Sequence, residues 1–474
     1  MKRTIVLIAI FIISGCSSTV LRQEPGPGSV RKSEIAKNIE RLLPDTLFPP
    51  ANAGIRIVSA RTGELLYENN SAFLFTPASN EKLVTSIAAL SALGPYFMLS
   101  TTVAVDTGSK RIYVRGGGDP MLLPDELDSL SAMLLIAWHP TGTVTLCYDV
   151  SLFDSVYYGK GWMWDDVTDP SGMGVSALNV NGNYVDVLVD GSGPIGGRPS
   201  LSVVPATSFV TVNNAAVIGD TLAGELTANR PMLRQTNDIT ITGSIPPGKK
   251  RRLSVAVWEP DRFAATLFAE SLRRRGVKIG EIVRETVPPT AVRKASIDRR
   301  LDTVVTYMNK VSDNLSAECL IKTLGSVIQG GQGSWQTGTN EARKFLALNA
   351  IDTNAVVVAD GSGLSRYNLT TARTLTTLLQ SAYRNDRIFG TFYASLPVAG
   401  VDGTLARRMI GTSAEGRVHA KTGTIGGVSS LSGYVPIASG DTLIVSMLMQ
   451  NFPAGARAYR AVQDSVVVWL SRRP

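Results

Sequence analysis

Hydrophobic and polar positions follow three different rhythms along this chain. Ile5 to Ile13 is an unbroken apolar run of nine residues, too short to span a bilayer. Residues 33–43 (SEIAKNIERLL) then repeat at the helical period, with Ser33 placed to cap the start. Gly54–Ser59 and Leu65–Asn69 read as two strands joined by the Arg61-Thr62-Gly63 turn. A helix is predicted from Lys82 to Leu93, amphipathic through Leu83, Ile87 and Leu90.

From about 101 to 296 short β-like runs alternate with Gly, Pro, Asn and Asp turns. The runs are Lys110–Arg115, Val144–Val150, Tyr184–Val189, Ser208–Asn213, Asp238–Thr242 and Leu253–Val257. One helix, Pro260 to Arg275, and a strand near Glu281–Arg284 close this stretch, which reads as a mostly β insertion. Helices return at Leu301–Lys310, Leu315–Gln329, Asn340–Leu348 and Thr370–Asn385. The end reads β-β-β-α: Arg417–Ile425, Val428–Val435, Thr442–Gln450 and a helix from Ala456 to Arg472. Tight turns join these strands, so the sheet is expected to be antiparallel, with Tyr459, Val462, Val466 and Trp469 of the last helix packed on it.

Length bounds the picture. A chain of 474 residues with 44% hydrophobic content exceeds one average domain. The expected division is a signal segment at 1–15 and a tether with a first helix at 16–44. One discontinuous domain follows at 45–100 and 297–474, and the insertion at 101–296 is expected to hold two subdomains. Lys2 and Arg3 before the apolar run, and Ser14-Gly15-Cys16 after it, resemble the lipobox of bacterial lipoproteins. That likeness implies lipidation of Cys16. Ser17 after it implies sorting to the outer membrane and a periplasmic location. Residues 17–32, rich in Pro and Gly, read as a flexible tether.

Composition narrows the chemistry. His139 and His419 stand apart and no C-x-x-C spacing exists, so no metal is expected. Cys147 and Cys319 fit either a disulfide or two buried thiols. The formal charge of +8 is scattered, so the basic residues read as a solvated surface and no nucleic-acid partner is expected.

Three motifs carry the chemistry. Ser79-Asn80-Glu81-Lys82 places Ser79 and Lys82 one turn apart on one face at the head of a helix. A lysine there can act as the base that a serine nucleophile needs, once burial lowers its proton affinity. Ser29-Val30-Arg31-Lys32 has the same spacing but lies in the tether, so context selects Ser79. Ser312-Asp313-Asn314 falls in a turn between two helices, where Ser312 can relay a proton and Asn314 can donate to a peptide carbonyl. Lys421-Thr422-Gly423-Thr424 reads as an edge strand. It offers a fixed positive charge, two hydroxyls, a glycine for close approach and the Thr424 N–H for an oxyanion.

S-x-x-K, S-x-N and K-T-G in this order resemble the set of serine enzymes that attack D-alanyl peptides and β-lactams. The step from Ser79 to Ser312 is 233 residues, and that from Ser312 to Lys421 is 109. Gly116–Pro120, Gly161–Asp166 and Asp360–Arg366 extend the likeness. The chain is similar to serine D-alanyl-D-alanine carboxypeptidases/endopeptidases of the penicillin-binding protein 4 type, low-molecular-mass class C. The resemblance implies an α+β fold, an antiparallel sheet with helices on both faces, interrupted by the insertion.

It implies Ser79 as the acylated nucleophile, Lys82 as base and Ser312 with Asn314 as the second element. Lys421, Thr422, Gly423 and Thr424 become the substrate strand, and Asp166 and Arg366 the contacts to the stem-peptide side chain. Gly426 departs from the family, which can place a polar side chain there. Peptidoglycan peptides and β-lactam antibiotics are the implied partners, with the membrane reached through the lipid. A serine-type peptidase needs no cofactor, so none is expected. A β-lactamase or esterase of the same fold, and a non-catalytic wall-binding protein, are the alternatives. His419 reads as a structural strand residue, and Trp162 and Trp164 as packing.

Overall fold

A computed structural model describes residues 27–473, apart from 45, 49–50, 220–223, 232–233 and 454. Cys16 and the signal segment lie outside the described residues. Helix α1 (Pro27–Leu42) leads to strands β1 (Asn52–Ser59) and β2 (Leu65–Asn69). A short 3-10 turn at Ala78–Asn80 then opens helix α2 (Glu81–Leu93). The tether expected to reach residue 32 therefore gives way to helix at Pro27. Proline fits the first helical position because its φ is already helical and its missing N–H is not needed there.

The insertion begins with β3 (Met98–Asp106), β4 (Arg111–Arg115), α3 (Pro124–Ala137) and β5 (Thr143–Asp149). Then come β6 (Tyr184–Asp190), β7 (Ser200–Val204), β8 (Thr211–Asn214), β9 (Val217–Ile218) and β10 (Thr227–Asn229). It ends with β11 (Asp238–Thr242), β12 (Ser244–Ile245), β13 (Lys250–Ala256), α4 (Pro260–Arg274), β14 (Lys278–Arg284) and β15 (Val292–Arg300). After it stand α5 (Leu301–Val311), α6 (Asn314–Gln329), α7 (Trp335–Leu348), α8 (Ala372–Tyr383) and α9 (Phe389–Ser395). Strands β16 (His419–Ile425), β17 (Val428–Pro436) and β18 (Thr442–Gln450) precede α10 (Arg457–Ser471).

The main sheet has the order β16-β17-β18-β1-β2, antiparallel throughout. The fold is α+β, with helices on both faces of this sheet. One face carries α2 and α8, where Val58, Tyr434, Ile444 and Leu448 join Leu83, Ile87 and Leu375. The other carries α1 and α10, where Ile55, Ile57, Val445 and Met447 meet Ile35, Ile39, Val462 and Val466. Strands β17 and β18 are buried nearly end to end because both of their faces are covered. Helix α2 is buried from Glu81 to Leu90 on every side, not only along the expected apolar stripe, because α5, α6, α7 and α8 enclose it.

Two expectations about the insertion change. Its largest sheet, β14-β5-β4-β3-β15, is mixed, with parallel pairs β4/β5 and β5/β14. Helices α3 and α4 supply those crossovers, and α3 was not expected. Pro124, Asp125 and Glu126 form its first turn, while Leu127, Leu130 and Leu134 are buried. Both expected junctions, 100/101 and 296/297, fall inside strands, β3 and β15, which pair with each other from Met98↔Arg300 to Val105↔Val292.

Candidate active site

The chain enters the site through a tight turn. Ala78 has φ 47, a conformation that L-residues seldom adopt, and Ser79 follows it half-exposed on the 3-10 turn. Gly363 lies against this turn: a Cβ there would sit 1.8 Å from the Ala78 carbonyl oxygen. Asn80 Nδ2 donates to the Lys421 carbonyl at 3.1 Å, and Ser430 Oγ donates to the Pro77 carbonyl at 2.7 Å. The turn is thus tied to both β16 and β17.

Lys82 is fully buried. Its Nζ lies 3.0 Å from Ser79 Oγ, 2.6 Å from Asn314 Oδ1 and 2.9 Å from the Ser362 carbonyl oxygen. Burial lowers its pKa to about 8, against the opposing pull of Glu318, Asp313, Asp360 and Glu81. A neutral amine has two N–H bonds and one lone pair. With Asn314 Oδ1 and the Ser362 carbonyl taking the hydrogens, the lone pair is left facing Ser79 Oγ.

Ser312 caps the end of α5 in a left-handed conformation, φ 65. Asp313 caps the start of α6 by accepting from the Ser316 N–H at 2.7 Å. This turn brings Ser312 Oγ within 2.8 Å of Lys421 Nζ, which also donates to the Thr422 carbonyl at 2.9 Å. Asn314 Nδ2 donates to the Ser171 carbonyl of the insertion at 2.8 Å. Burial, then the charge of Lys82, pushes the pKa of Lys421 well down. Lys82 has acidic neighbours to oppose its desolvation; Lys421 has none that offsets it.

Strand β16 is an edge strand, as expected. Ala420 N–H leaves the sheet to bond the Pro397 carbonyl at 3.0 Å. By the period of two, the Thr422 and Thr424 N–H groups face the same outer side. Gly423 passes so close to the nucleophile turn that a Cβ would lie 2.9 Å from Ser79 N and 2.2 Å from Ser430 Oγ. The five motif side chains Ser79, Lys82, Ser312, Asn314 and Lys421 therefore meet in one place.

The sequence profile of the D-Ala-D-Ala carboxypeptidase 3 (S13) family matches residues 35–473. The chain belongs to this family. It is 35% identical over 464 residues to the D-alanyl-D-alanine carboxypeptidase of Actinomadura sp. (strain R39), covering 93% of this chain and 85% of that one. It is 27% identical to a D-alanyl-D-alanine carboxypeptidase of Haemophilus influenzae, covering 85% and 86%. The crystal structure of penicillin binding protein 4 from Haemophilus influenzae superposes with a TM-score of 0.81 at 25% identity, covering 92% of this chain and 99% of that one. The same protein complexed with a novel β-lactam gives a TM-score of 0.75 at 23% identity, with the same coverage.

In this S13 family member the remaining candidates lie around the rim. Asp166 is half-buried, and its carboxyl is raised mainly by burial, with Arg366 opposing. Arg366 is exposed and donates to the Gly426 carbonyl at 2.9 Å; a Cβ on Gly426 would come within 3.2 Å of its guanidinium. The glycine at 426 thus makes room for Arg366. Thr422 Oγ1 donates to Thr404 Oγ1 at 2.7 Å, and Arg460 reaches Thr424 Oγ1 at 3.1 Å. His419 is structural: Nδ1 meets the Tyr393 carbonyl at 3.1 Å and the ring stacks on Tyr393. Trp162 packs as expected, whereas Trp164 is 66% exposed. Cys147 and Cys319 are separate buried thiols, which settles the open alternative.

Several groups at the site escaped the sequence reading. Glu318 is fully buried in α6, where it accepts from Gly361 N–H, Ser362 N–H and Trp335 Nε1. Desolvation and the nearby Asp360 raise its pKa to about 7. Glu81 is buried with both carboxyl oxygens unpartnered among the described residues. Burial first, then Asp360 and Glu318, pushes its pKa well above the usual range. The available signal was a charged residue inside an apolar helical run, as at Ala317-Glu318-Cys319-Leu320. Among the described residues no cluster of metal-binding side chains exists, and no helix is long and apolar enough to cross a membrane.

Proposed function

We infer that this protein is a serine D-Ala-D-Ala carboxypeptidase/endopeptidase that acts on peptidoglycan stem peptides and binds penicillin covalently. The observation that carries the reading is the buried Lys82 amine, held by Asn314 Oδ1 and the Ser362 carbonyl with its Nζ 3.0 Å from Ser79 Oγ, where its lone pair faces the hydroxyl once the proton is lost. Ser79 Oγ attacks the carbonyl carbon of the penultimate D-alanine while Lys82 takes its proton. The Ser79 and Thr424 N–H groups hold the oxyanion. The C–N bond then breaks, and the leaving amine takes a proton through Ser312 Oγ, which Lys421 orients. Water cleaves the acyl-enzyme by the reverse proton path.

The free carboxylate of the substrate fits beside Thr422 and Thr424. Its charge would favour the positive form of Lys421, which burial opposes. Asn314 faces the peptide backbone, and Asp166 and Arg366 flank the stem-peptide side chain. A β-lactam enters the same way and leaves slowly, a reading supported by the β-lactam complex of the Haemophilus influenzae relative. Fluorescent penicillin labels the wild type and not Ser79→Ala in this reading; equal labelling of the two would end it. Release of D-alanine from a pentapeptide tests turnover.

We further infer that the domain limits follow the strands, with 98–300 as the insertion and the flanking segments as the catalytic unit. We also infer an exported enzyme whose Cys16 carries lipid and holds it at the periplasmic side of the outer membrane. The apolar run Ile5 to Ile13, followed by Ser14-Gly15-Cys16, supports this. Labelled palmitate should enter the wild type and not Cys16→Ala, and the variant should leave the membrane fraction.

A further inference from the structure

We propose that Trp162, carried by the insertion, is a positioning residue for Lys82: its indole N–H holds Asp360, and Asp360 shapes the turn whose Ser362 carbonyl orients the lysine. The proposal rests on the role given to Lys82 above.

Asp360 is fully buried and takes four hydrogen bonds. Oδ1 accepts from the Gly363 N–H at 2.8 Å and from Asn368 Nδ2 at 2.7 Å. Oδ2 accepts from the Ser365 N–H at 2.6 Å and from Trp162 Nε1 at 2.9 Å. Three donors are local to the turn; Trp162 alone comes from across the cleft. Four donors fill the lone pairs of a carboxylate, so each one fixes the direction of the others.

The opposite side of the same turn is held by Glu318, through the Gly361 and Ser362 N–H groups at 2.9 and 2.8 Å. An indole completes that arm as well, Trp335 Nε1 to Glu318 Oε2 at 2.7 Å. The two indoles meet edge-on, their centroids 5.8 Å apart. The Ser362 peptide is thereby clamped between two buried carboxylates, each held by a tryptophan. Its carbonyl then accepts from Lys82 Nζ at 2.9 Å.

A second contact locks the loop of Trp162 to the turn. Ser365 Oγ donates to the Lys160 carbonyl at 2.7 Å, and a Cβ on Gly161 would lie 2.7 Å from both Ser365 Oγ and the Tyr367 ring. Backbone and side chain thus approach as closely as glycine permits. The loop continues to Asp166, so one segment of the insertion carries both the indole that holds Asp360 and the carboxylate placed at the stem-peptide side chain.

Two variants test this. Trp162→Phe keeps an aromatic ring and loses the N–H. Benzothienylalanine at 162 keeps the bicyclic shape and replaces the N–H with sulfur. Acylation by a chromogenic penicillin is followed in rapid-mixing experiments on the full protein, per titrated active site. The acylation rate constant should fall about tenfold in both variants, while the apparent binding constant changes less than twofold. A rate constant within twofold of wild type for the benzothienylalanine protein overturns the proposal, even if Trp162→Phe fails to fold. Normal labelling of Ser79→Ala would instead overturn the functional reading itself.

Discussion

Lys421 Nζ donates to Ser312 Oγ at 2.8 Å, which joins the substrate strand to the turn between α5 and α6. The lysine is fully buried, and Ser312 is its only side-chain acceptor among the described residues. Ser312→Ala removes both that acceptor and the proposed proton route to the leaving amine. Acylation by penicillin should slow about 10²-fold, read by stopped-flow mixing, with the protein still folded by circular dichroism. A slowing of less than threefold would mean the proton leaves by another path.

The pH dependence follows from Lys82. A general base works only after losing its proton, and burial places that loss at about 8. The acylation rate should therefore climb about tenfold per unit from pH 6 to 7.5 and level off above 8. A profile that is flat below pH 8 would mean that another group takes the Ser79 proton.

Glu81 gives a stability prediction of unusual sign. Its carboxyl is fully buried and both oxygens lack partners among the described residues. Leaving such a group unsatisfied costs about 1–3 kcal/mol. Glu81→Met keeps the length of the side chain and removes the polar atoms, so the unfolding midpoint should rise. A lower midpoint would show that the carboxyl is satisfied in the folded protein.

Gly363 has φ 83, and a Cβ there would lie 1.8 Å from the Ala78 carbonyl. Gly363→Ala must displace the turn that carries Ser79. Penicillin labelling should fall at least about 10²-fold, since small displacements of reacting groups are costly. Gly330 also has a positive φ but open space around it, so Gly330→Ala controls for backbone strain alone and should label normally.

What was legible in the sequence follows from how local each cause is. Strands β2, β11 and β18 match the sequence reading residue for residue. Each lies between residues that favour turns, so its ends are set by its neighbours in the chain. Helix α3 was missed because Ser, Asp and Pro in PDELDSLSAM look like turn composition, while its apolar stripe is made sense of only by the sheet beneath it. The junctions of the insertion fall inside β3 and β15 because their pairing joins residues far apart in sequence.

The site divides the same way. Ser79, Lys82, Ser312, Asn314 and Lys421 sit in motifs of fixed spacing, and the structure bonds Lys82 to Ser79 and Asn314, and Lys421 to Ser312. Ser362 contributes only a backbone carbonyl, which no side-chain pattern announces. Glu318 and Asp360 act from beneath the surface, and their partners come from elements that meet only after folding.

The main sheet pairs Asn52 with Gln450, opposite ends of the chain. Until the last strands have been synthesised, β1 has no neighbour on that side and the nucleophile turn has no β16 to lean on. Contacts so distant in sequence form slowly. A polypeptide that still lacks β16 and β18 therefore has no assembled site: the turn that carries Ser79 gains its support only when these late strands join the sheet of β1.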